Sequence, residues 1–438
     1  MASISIPTIT PAGASRAQAR VVASVRAWHR ATSREVRVLR RVRWTWWLLF
    51  MNVLGSPTGG LLHLPKVGAE LISQGALMAA LLVALTVNPR VRLRPSLYLG
   101  IFSLLGTTSL MMSVRLVSLG TAYRGVRLVT FIAVLWLLTP WWGRREGHLL
   151  RAQLSFLSAV LVSVVVGLLI APGHARAGGR LGGVIWPVAS TQVAHYSAEF
   201  AGMMMVLWVS RVLKGRVAIP GAVLAFVMLI LTHTRTALVA AVVGFVVAAL
   251  SLVVVHRRVR RMFASLAMVG VLIILPLSPV IITWLARGES PAQLADLSGR
   301  TNFWADVFAE PRPLTNEIMG NGISNGSIFD PSDRSANGTG LAIDSSWVED
   351  YQDQGILGDV LTGCMFLALL ICAAYSPRGP ARAVALFLVV YCLLASITED
   401  GAGIASQYAL DLTVAASLLV PNLARTVARR PVVRSAGP

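Results

Sequence analysis

Acidic side chains gather in one short stretch, DSSWVEDYQDQGILGD, at residues 344–359, directly before a hydrophobic run. A carboxylate in such a place can act as general base for a hydroxyl group if desolvation raises its pKa toward the working pH. Asp344, at the start of the stretch, is the candidate for this role, with Glu349 and Asp350 as supporting candidates. Two other interpretations stay open: Asp344 caps the helix that follows, and Glu349, Asp350 and Asp353 form a solvated face.

Three arginines are candidates for binding an anion. Arg180 lies in GGRLGGVIWP, Arg235 in THTRTA and Arg300 in SGRT, so small or hydroxyl side chains that would let a ligand approach flank each one. The planar guanidinium group can bind a pyrophosphate through two parallel hydrogen bonds. The alternative is that each arginine extends to lipid phosphate or pairs with a nearby carboxylate.

Two histidines and a glutamate complete the candidate residues. His195 and Glu199 are four residues apart in an apolar segment, where they can pair on one helix face, either as a structural hydrogen bond or as part of a ligand site. His233 precedes Arg235 by two residues and could assist it in binding pyrophosphate. The three cysteines lie in apolar segments without CxxC or Cys/His spacing, which indicates neither a disulfide framework nor a metal site.

The composition places these residues in a membrane protein. Of the 438 residues, 55% are hydrophobic and 13% charged, the mean hydropathy is +0.68, and the apolar residues come in blocks of about 20. The net charge of +20 could suggest nucleic acid. However, the basic residues form short clusters between the apolar blocks, the pattern that sets orientation in a membrane. We therefore predict an all-α integral membrane protein with membrane lipids, and no nucleic acid, as partners.

Twelve apolar spans are predicted. They lie at roughly 44–63, 67–88, 96–114, 124–142, 149–171, 190–212, 217–233, 236–255, 263–286, 356–376, 383–398 and 404–423. The loops on one side are all basic, among them NPRVRLRPS, HRRVRR and SPRGPAR, which predicts that this side is cytoplasmic. Residues 1–43 and 425–438 are then basic cytoplasmic tails around a membrane domain at 44–424. Arginine outnumbers lysine 37 to 2, which is typical of a GC-rich bacterial genome and indicates a bacterial cytoplasmic membrane.

A large loop, 287–355, is predicted outside between spans nine and ten. It contains eleven acids against four arginines, a net charge of −7. At its two ends, apolar side chains such as Trp304 and Val307, and Trp347 and Tyr351, fall on one face of a short helix. We expect two amphipathic helices on the membrane surface. The glycine-rich middle of the loop, including the triplets NGS and NGT, is typical of turns.

Three stretches in this order resemble a known family. They are TRTALVAAVVGFVVAAL, then SGRTNFW at the start of a large outer loop, then DSSWVEDYQDQGILGDV leading into the next span. The chain from about 170 to 420 is similar to the superfamily of O-antigen ligases and polymerases. The ligases carry His, then Asn, Ser or Gln, then nine residues, then Gly-x-x-Gly. Here Asp344 replaces the histidine, Ser345 follows, and Gly355 and Gly358 complete the pattern, which is more like the polymerases.

The resemblance implies a C-type membrane glycosyltransferase that needs no metal or other cofactor. It would polymerise or ligate undecaprenyl-pyrophosphate-linked glycan at the extracytoplasmic face, using a lipid-linked oligosaccharide donor and a glycan or glycolipid acceptor. A transporter or flippase for a glycolipid or other anionic solute is the alternative. That alternative predicts charges at mid-membrane and a two-halved repeat. Charged residues are sparse inside the spans, whereas the polar residues concentrate on one side, which favours the enzyme.

Overall fold

The fold is all-helical apart from one short pair of strands. This computed structural model describes residues 36–54, 61, 66–115, 119–143, 147–253, 300–323, 328–329 and 341–420. Several predicted features lie outside the described residues: the ninth span, the HRRVRR loop, the NGS and NGT triplets, most of the N-terminal tail and the C-terminal tail. Within the described ranges, the strands Ile328–Phe329 (β1) and Leu341–Ala342 (β2) pair antiparallel, with Ile328 opposite Ala342.

Fourteen helices are labelled in chain order within the part of the chain that the structure describes. They lie at 36–53 (α1), Lys66–Val87 (α2), Leu97–Arg115 (α3), Leu119–Leu138 (α4), His148–Ile170 (α5), Pro172–Ala175 (α6), Ser190–Val209 (α7), Gly215–Thr232 (α8), Arg235–Val253 (α9), Arg300–Ala309 (α10), Leu314–Met319 (α11), Ser346–Tyr375 (α12), Pro380–Ala395 (α13) and Gln407–Leu419 (α14). Short 3₁₀ turns at Thr139–Trp141 and Ala177–Gly179 complete these elements.

Seven of these helices are long and apolar enough to cross a membrane: α2, α3, α4, α5, α8, α9 and α12. The mean hydropathy of their most apolar segments lies between 1.3 and 2.6. Large apolar side chains on their outer surfaces stay exposed, for example Val67 at 67% and Leu169 at 78%. Exposed apolar surface of this kind suits lipid rather than water. The chain therefore has the helices of a multi-pass membrane protein, and the count of twelve spans stays a prediction.

Helix α7 lies at the centre of the bundle. Most of its residues are buried, and it packs against α5, α8, α9 and α13. Because protein rather than lipid surrounds it, α7 can carry polar side chains such as His195 and Glu199. A Cβ added at Gly202 would lie 2.0 Å from Cζ of Phe387, and one at Gly244 would lie 3.1 Å from the carbonyl oxygen of Phe387. These glycines let α13 approach both α7 and α9 closely.

Hydrogen bonds join segments that are predicted to lie on the same side of the membrane. On the predicted outer side, the backbone N–H of Leu61, near the end of the first span, donates to the carbonyl of Val184 at 2.8 Å. On the predicted inner side, the N–H of Arg94 donates to Thr139 Oγ1 at 2.9 Å. Contacts of this kind are expected for spans that alternate in direction. We call the end that collects the predicted outer loops the site end.

A break at Gly355 divides α12 into a first segment, 346–354, and a long apolar segment. Gly355 has φ 66° and ψ −165°, a conformation that is essentially restricted to glycine. The carbonyls freed by the break accept hydrogen bonds from the loop after α11, since Asn321 N–H donates to Gln352 at 3.1 Å and Gly322 N–H donates to Asp353 at 2.8 Å. The break and α11 together hold the first segment in place.

The two predicted amphipathic helices are present as α10 and the first segment of α12, and their location on the membrane surface stays a prediction. A small buried cluster consists of Val307 of α10, Val348 of α12 and Ile343, which precedes α12. Trp304 and Tyr351 pack on this cluster. The apolar faces of the two helices therefore bury part of one another, whereas Phe308 of α10 stays 51% exposed.

Candidate functional site

The loop between α13 and α14, residues 396–406, holds the start of α12. Ser345 occupies the N-cap position, but its side chain makes no capping hydrogen bond. Instead, the Ser346 N–H donates to the carbonyls of Ser396 (3.0 Å) and Glu399 (2.9 Å). The Ser346 hydroxyl also donates to Glu399 (2.8 Å) and accepts from the N–H of Ala402 (3.0 Å). The loop thus satisfies the helix end that a side-chain cap would otherwise satisfy.

Asp344 pairs with Arg300. Arg300 Nη2 lies 2.9 Å from Asp344 Oδ2, and the two side chains are 32% and 43% exposed. The alternative that Asp344 is the helix cap is therefore wrong, because Ser345 occupies that position. The structure brings together the predicted general base and one of the predicted pyrophosphate ligands. A pair this exposed contributes little to stability, so a competing anion could separate it at small cost.

Arg180 and Arg235 meet at the tight turn between α8 and α9. Arg180 Nε donates to the carbonyl of Thr232 at 3.0 Å and Nη2 donates to Thr234 Oγ1 at 3.1 Å. Arg235 is the first residue of α9, directly after this turn. His233 ends α8 in a left-handed conformation with φ 54°. Arg180 satisfies a carbonyl at the C-terminal end of α8 and fixes the turn that carries Arg235.

The same turn contacts the 396–406 loop. Thr398 Oγ1 donates to Thr236 Oγ1 at 2.8 Å, one residue beyond Arg235. Glu399 follows directly and is bonded to the start of α12 through its carbonyl. The loop therefore joins the turn of Arg235 to the segment of Asp344, and the predicted arginines and Asp344 lie around the same structural element.

Glu399 is a second carboxylate that interacts with several basic side chains of the site end. Its Oε1 lies 3.6 Å from His195 Nε2. Burial alone would raise the pKa of Glu399, but the hydrogen bond and charge of His195, together with the charges of Arg300 and Arg180, outweigh burial and lower this pKa below its usual value. Glu399 is thus held as the counter-charge of the arginines.

Asp400 lies next to Glu399, but its pKa is shifted in the opposite direction. Its side chain is open to solvent at one side, but the surrounding protein crowds it. This partial burial, followed by the negative charges of Glu399 and Asp344, raises the pKa of Asp400 to about 6. A carboxylate with this pKa can take a proton from a hydroxyl group at neutral pH more readily than an ordinary aspartate.

A cavity of about 410 Å³ opens beside these acids. Polar side chains that can bind hydroxyl groups line much of it: Thr191, Gln192, His195, Glu399, Asp400, Gln407 and Tyr408. Arg180, Arg235 and Arg300 do not line this cavity, but the charges of Arg180 and Arg300 act on Glu399, which does. The site end thus has a carboxylate-lined cavity beside a cationic region.

His195 and Glu199 have separate partners, so the predicted interaction between them is wrong. His195 Nδ1 lies 2.6 Å from the hydroxyl of Tyr391, and its other ring nitrogen faces Glu399. Glu199, one turn deeper in α7, accepts a hydrogen bond from Gln407. The two side chains share a helix face but point to different neighbours, because α13 and α14 contribute a closer partner to each.

The solvated face predicted for Glu349, Asp350 and Asp353 is also wrong. These residues are 3%, 0% and 2% exposed. Asp350 Oδ2 accepts from Thr362 Oγ1 at 2.7 Å, and a Cβ added at Gly403 would lie 2.2 Å from Asp350 Oδ1. The 396–406 loop therefore covers this segment, and neither Glu349 nor Asp350 lines the cavity.

Glu399 and Asp400 were missed by sequence reasoning. They lie in SITEDGAG, in a short loop between the last two predicted spans and on the predicted outer side. The signal was available, since two adjacent acids followed by a glycine interrupt an otherwise apolar region. The 287–355 loop, with its eleven acids, is the stronger sequence signal for a carboxylate site.

The fold and site define a class: a multi-pass helical membrane protein with an arginine-rich and carboxylate-rich site at one end. Within the described part of the chain, no group of three or more His, Cys, Asp and Glu side chains is arranged to hold a metal ion. The chain matches no protein-family model and no curated protein.

Proposed function

We propose that the protein is a membrane glycosyltransferase that polymerises or ligates lipid-linked glycan at the extracytoplasmic face of a bacterial cytoplasmic membrane. The observation that supports this most is the convergence of Arg180, Arg235 and Arg300 with Asp344, Glu399 and Asp400 at the site end, beside a polar cavity. The ordered resemblance to the O-antigen ligase and polymerase superfamily points the same way. The proposed reaction uses no metal ion.

The arginines would bind the pyrophosphate of an undecaprenyl-linked oligosaccharide donor. Arg180 uses two of its N–H groups to fix the α8–α9 turn, which leaves others for a ligand. Among the described residues, the partner of Arg300 is the partly exposed carboxylate of Asp344, so the more highly charged pyrophosphate would compete successfully for it. Positive charge at this position stabilises the charge that develops on the leaving pyrophosphate.

The cavity would bind the acceptor glycan. Its carboxylates, amides and hydroxyl groups suit sugar hydroxyls, whereas its two acids would repel a pyrophosphate. The donor pyrophosphate would therefore bind at the arginines and the acceptor in the neighbouring cavity. The apolar surface of the seven long helices would contact membrane lipids, including the carrier lipid.

The chemistry requires a proton acceptor for the attacking hydroxyl. The sequence analysis assigns this role to Asp344, but Asp400 lines the cavity and its pKa is raised to about 6. In this proposal Asp400 takes the proton while the acceptor oxygen bonds to the anomeric carbon and the bond from that carbon to the pyrophosphate oxygen breaks. The electron pair leaves with the pyrophosphate, and the anomeric carbon is inverted. Asp344 positions Arg300.

A reconstituted assay with a lipid-pyrophosphate-linked oligosaccharide and separated products tests this function. We expect Asp400→Asn to lower turnover by about 10² to 10⁴ with little change in donor binding, and Asp344→Asn to act mainly by weakening donor binding through Arg300. Asp306→Asn, an exposed carboxylate of the same outer loop, is the matched control and should behave as wild type. A larger loss of turnover in Asp344→Asn than in Asp400→Asn would return the base to Asp344. Full activity of both variants would contradict the proposed chemistry.

The proposal also fixes an orientation, with both termini and the basic loops cytoplasmic and the site end outside. In a background without the three native cysteines, a cysteine at Glu310 should react with an impermeant reagent added outside. A cysteine at Lys214 should react only after the membrane is opened. The reverse pattern would place the site in the cytoplasm, where lipid-linked glycan polymerisation of this type is not expected.

Transport of a glycolipid or other anionic solute is the second candidate function. The observation that favours it is the presence of two fully buried acids, Glu199 and Asp411, inside the helical bundle, because intramembrane acids commonly belong to ion or proton pathways. A transporter would move the labelled lipid-linked oligosaccharide across a vesicle membrane without changing its length. The same reconstituted vesicles therefore separate the two functions.

A further inference from the structure

Two acids that the proposed chemistry does not use meet inside the bundle. Glu199 of α7 and Asp411 of α14 are both 0% exposed. Their side chains lie close enough to form a hydrogen bond with each other, and one oxygen of each acid, Glu199 Oε2 and Asp411 Oδ2, has no other partner among the described residues. Each also accepts a hydrogen bond from an amide: Gln407 Nε2 donates to Glu199 Oε1, and Gln153 Nε2 donates to Asp411 Oδ1.

The hydrogen for the bond between the two acids must come from one of them. Ionised carboxylates only accept hydrogen bonds, so two ionised groups cannot bond to each other. Glu199 Oε2 and Asp411 Oδ2 receive no hydrogen bond from any other described residue. The Gln153 amide cannot reverse its role, because its oxygen accepts from Trp46 Nε1 at 2.9 Å and its NH₂ group therefore faces Asp411.

If both Glu199 and Asp411 were ionised, no positive charge from the described residues would offset the second negative charge. The ionisable groups that act on the pair come from α3, α7, α13 and α14, and they are Tyr98, Tyr196, Tyr391, Cys392 and Tyr408. His195 is one turn away on α7 and faces Tyr391 and Glu399. Two like charges in contact at this depth would be strongly unfavourable, and one charge spread over two acids with two amide donors is much less so.

We infer that Glu199 and Asp411 form an intramembrane proton-binding site, in which the two carboxyl groups share a single proton. Gln407 connects this site to the cavity, because its side chain holds Glu199 and also lines the cavity wall. The inference does not depend on the proposed glycosyltransferase function, since it rests on the packing of the bundle core. It adds a bound proton that either candidate function would have to accommodate.

Infrared spectroscopy of the purified protein in lipid, in H₂O and in D₂O, tests the inference. A shared proton gives one carbonyl band of a protonated carboxyl group, and either Glu199→Gln or Asp411→Asn should displace or remove that same band. Both substitutions replace an O–H donor by an N–H donor of similar shape, so we expect the fold to be kept. Glu70→Gln, at an exposed site on α2, is the matched control and should leave the band unchanged.

Two results would overturn the inference. Two separate bands, each sensitive to one substitution only, would show that each acid carries its own proton. A spectrum without any band sensitive to either substitution would show that both acids are ionised. If either variant fails to fold, Gln153→Leu replaces it, because this change removes one amide donor without altering either acid. The shared band should then shift, and an unchanged band would also overturn the inference.

Discussion

The glycine at the break in α12 offers the most direct test of how the site is positioned. At φ 66° and ψ −165°, Gly355 lies in a region that other residues almost never occupy. A Cβ added there would lie 2.5 Å from the carbonyl oxygen of Glu317 and 2.6 Å from the backbone nitrogen of Gly320. Gly355→Ala must therefore both strain the backbone and push α11 away from α12.

The expected loss of stability follows from these contacts. The backbone conformation costs about 1–3 kcal/mol for a residue with a side chain. Displacing α11 also weakens the hydrogen bonds that Asn321 and Gly322 donate across the break, at about 1 kcal/mol each. The lower entropy of the unfolded chain returns at most about 1 kcal/mol. We expect Gly355→Ala to lower the free energy of unfolding by about 2–5 kcal/mol.

The same helix supplies the control. Gly363 is in the regular part of α12, and a Cβ there would touch nothing closer than the ring of Trp347 at 3.9 Å. Gly363→Ala should therefore stabilise the helix by about 0.5–1 kcal/mol. Thermal unfolding in detergent, followed by loss of the monodisperse peak in size-exclusion chromatography, should show a midpoint lower by roughly 5 °C or more for Gly355→Ala and unchanged or higher for Gly363→Ala. Equal midpoints for the two variants would refute the reasoning.

Two further predictions concern the chemistry of the site end. Arg235→Ala should reduce the rate of glycan transfer by the equivalent of about 2–4 kcal/mol of transition-state stabilisation. Arg235→Lys should restore only part of this rate, because lysine lacks the two-pronged guanidinium group. A fully active lysine variant would show that charge alone suffices. Because Asp400 must be ionised to accept a proton, activity should fall as the pH drops through about 6 and stay level above it. That decline should be absent from the residual activity of Asp400→Asn, and a variant that keeps it would assign the titration to another group.

The apolar helices were predictable because their lengths and boundaries follow from hydrophobic runs. The span predicted at 149–171 is α5, His148–Ile170, and the span at 236–255 is α9, Arg235–Val253. The ends of the bundle were less predictable. Among the described residues, helix α1 already includes 36–43, before the first predicted span, where arginines hide a helix from a hydropathy reading. Helix α14 covers only Gln407–Leu419 of the span predicted at 404–423.

The residue types of the site were predictable from the sequence, but the contacts between those residues were predictable only in part. Arg300 and Asp344 could be singled out separately, yet their pairing depends on how α10 packs on α12, which no local pattern specifies. The burial of Glu349 and Asp350 depends on the 396–406 loop, about fifty residues further along the chain. A reading based on neighbours in sequence sees acids in a polar segment and predicts a solvated face. Only the tertiary contacts at Ser346 and Gly403 reverse that prediction.

The acids at the site end have a role that follows from the arginines themselves. Three arginines gathered near a membrane boundary would repel one another unless counter-charges lie close by. Asp344 holds Arg300, and Glu399 lies within reach of the charges of Arg180, Arg300 and His195. A bound pyrophosphate would have to displace these internal counter-charges, so part of its binding energy would be offset by the pairs that it breaks. On the proposed function this exchange favours turnover, because the acids re-form their pairs when the pyrophosphate product leaves.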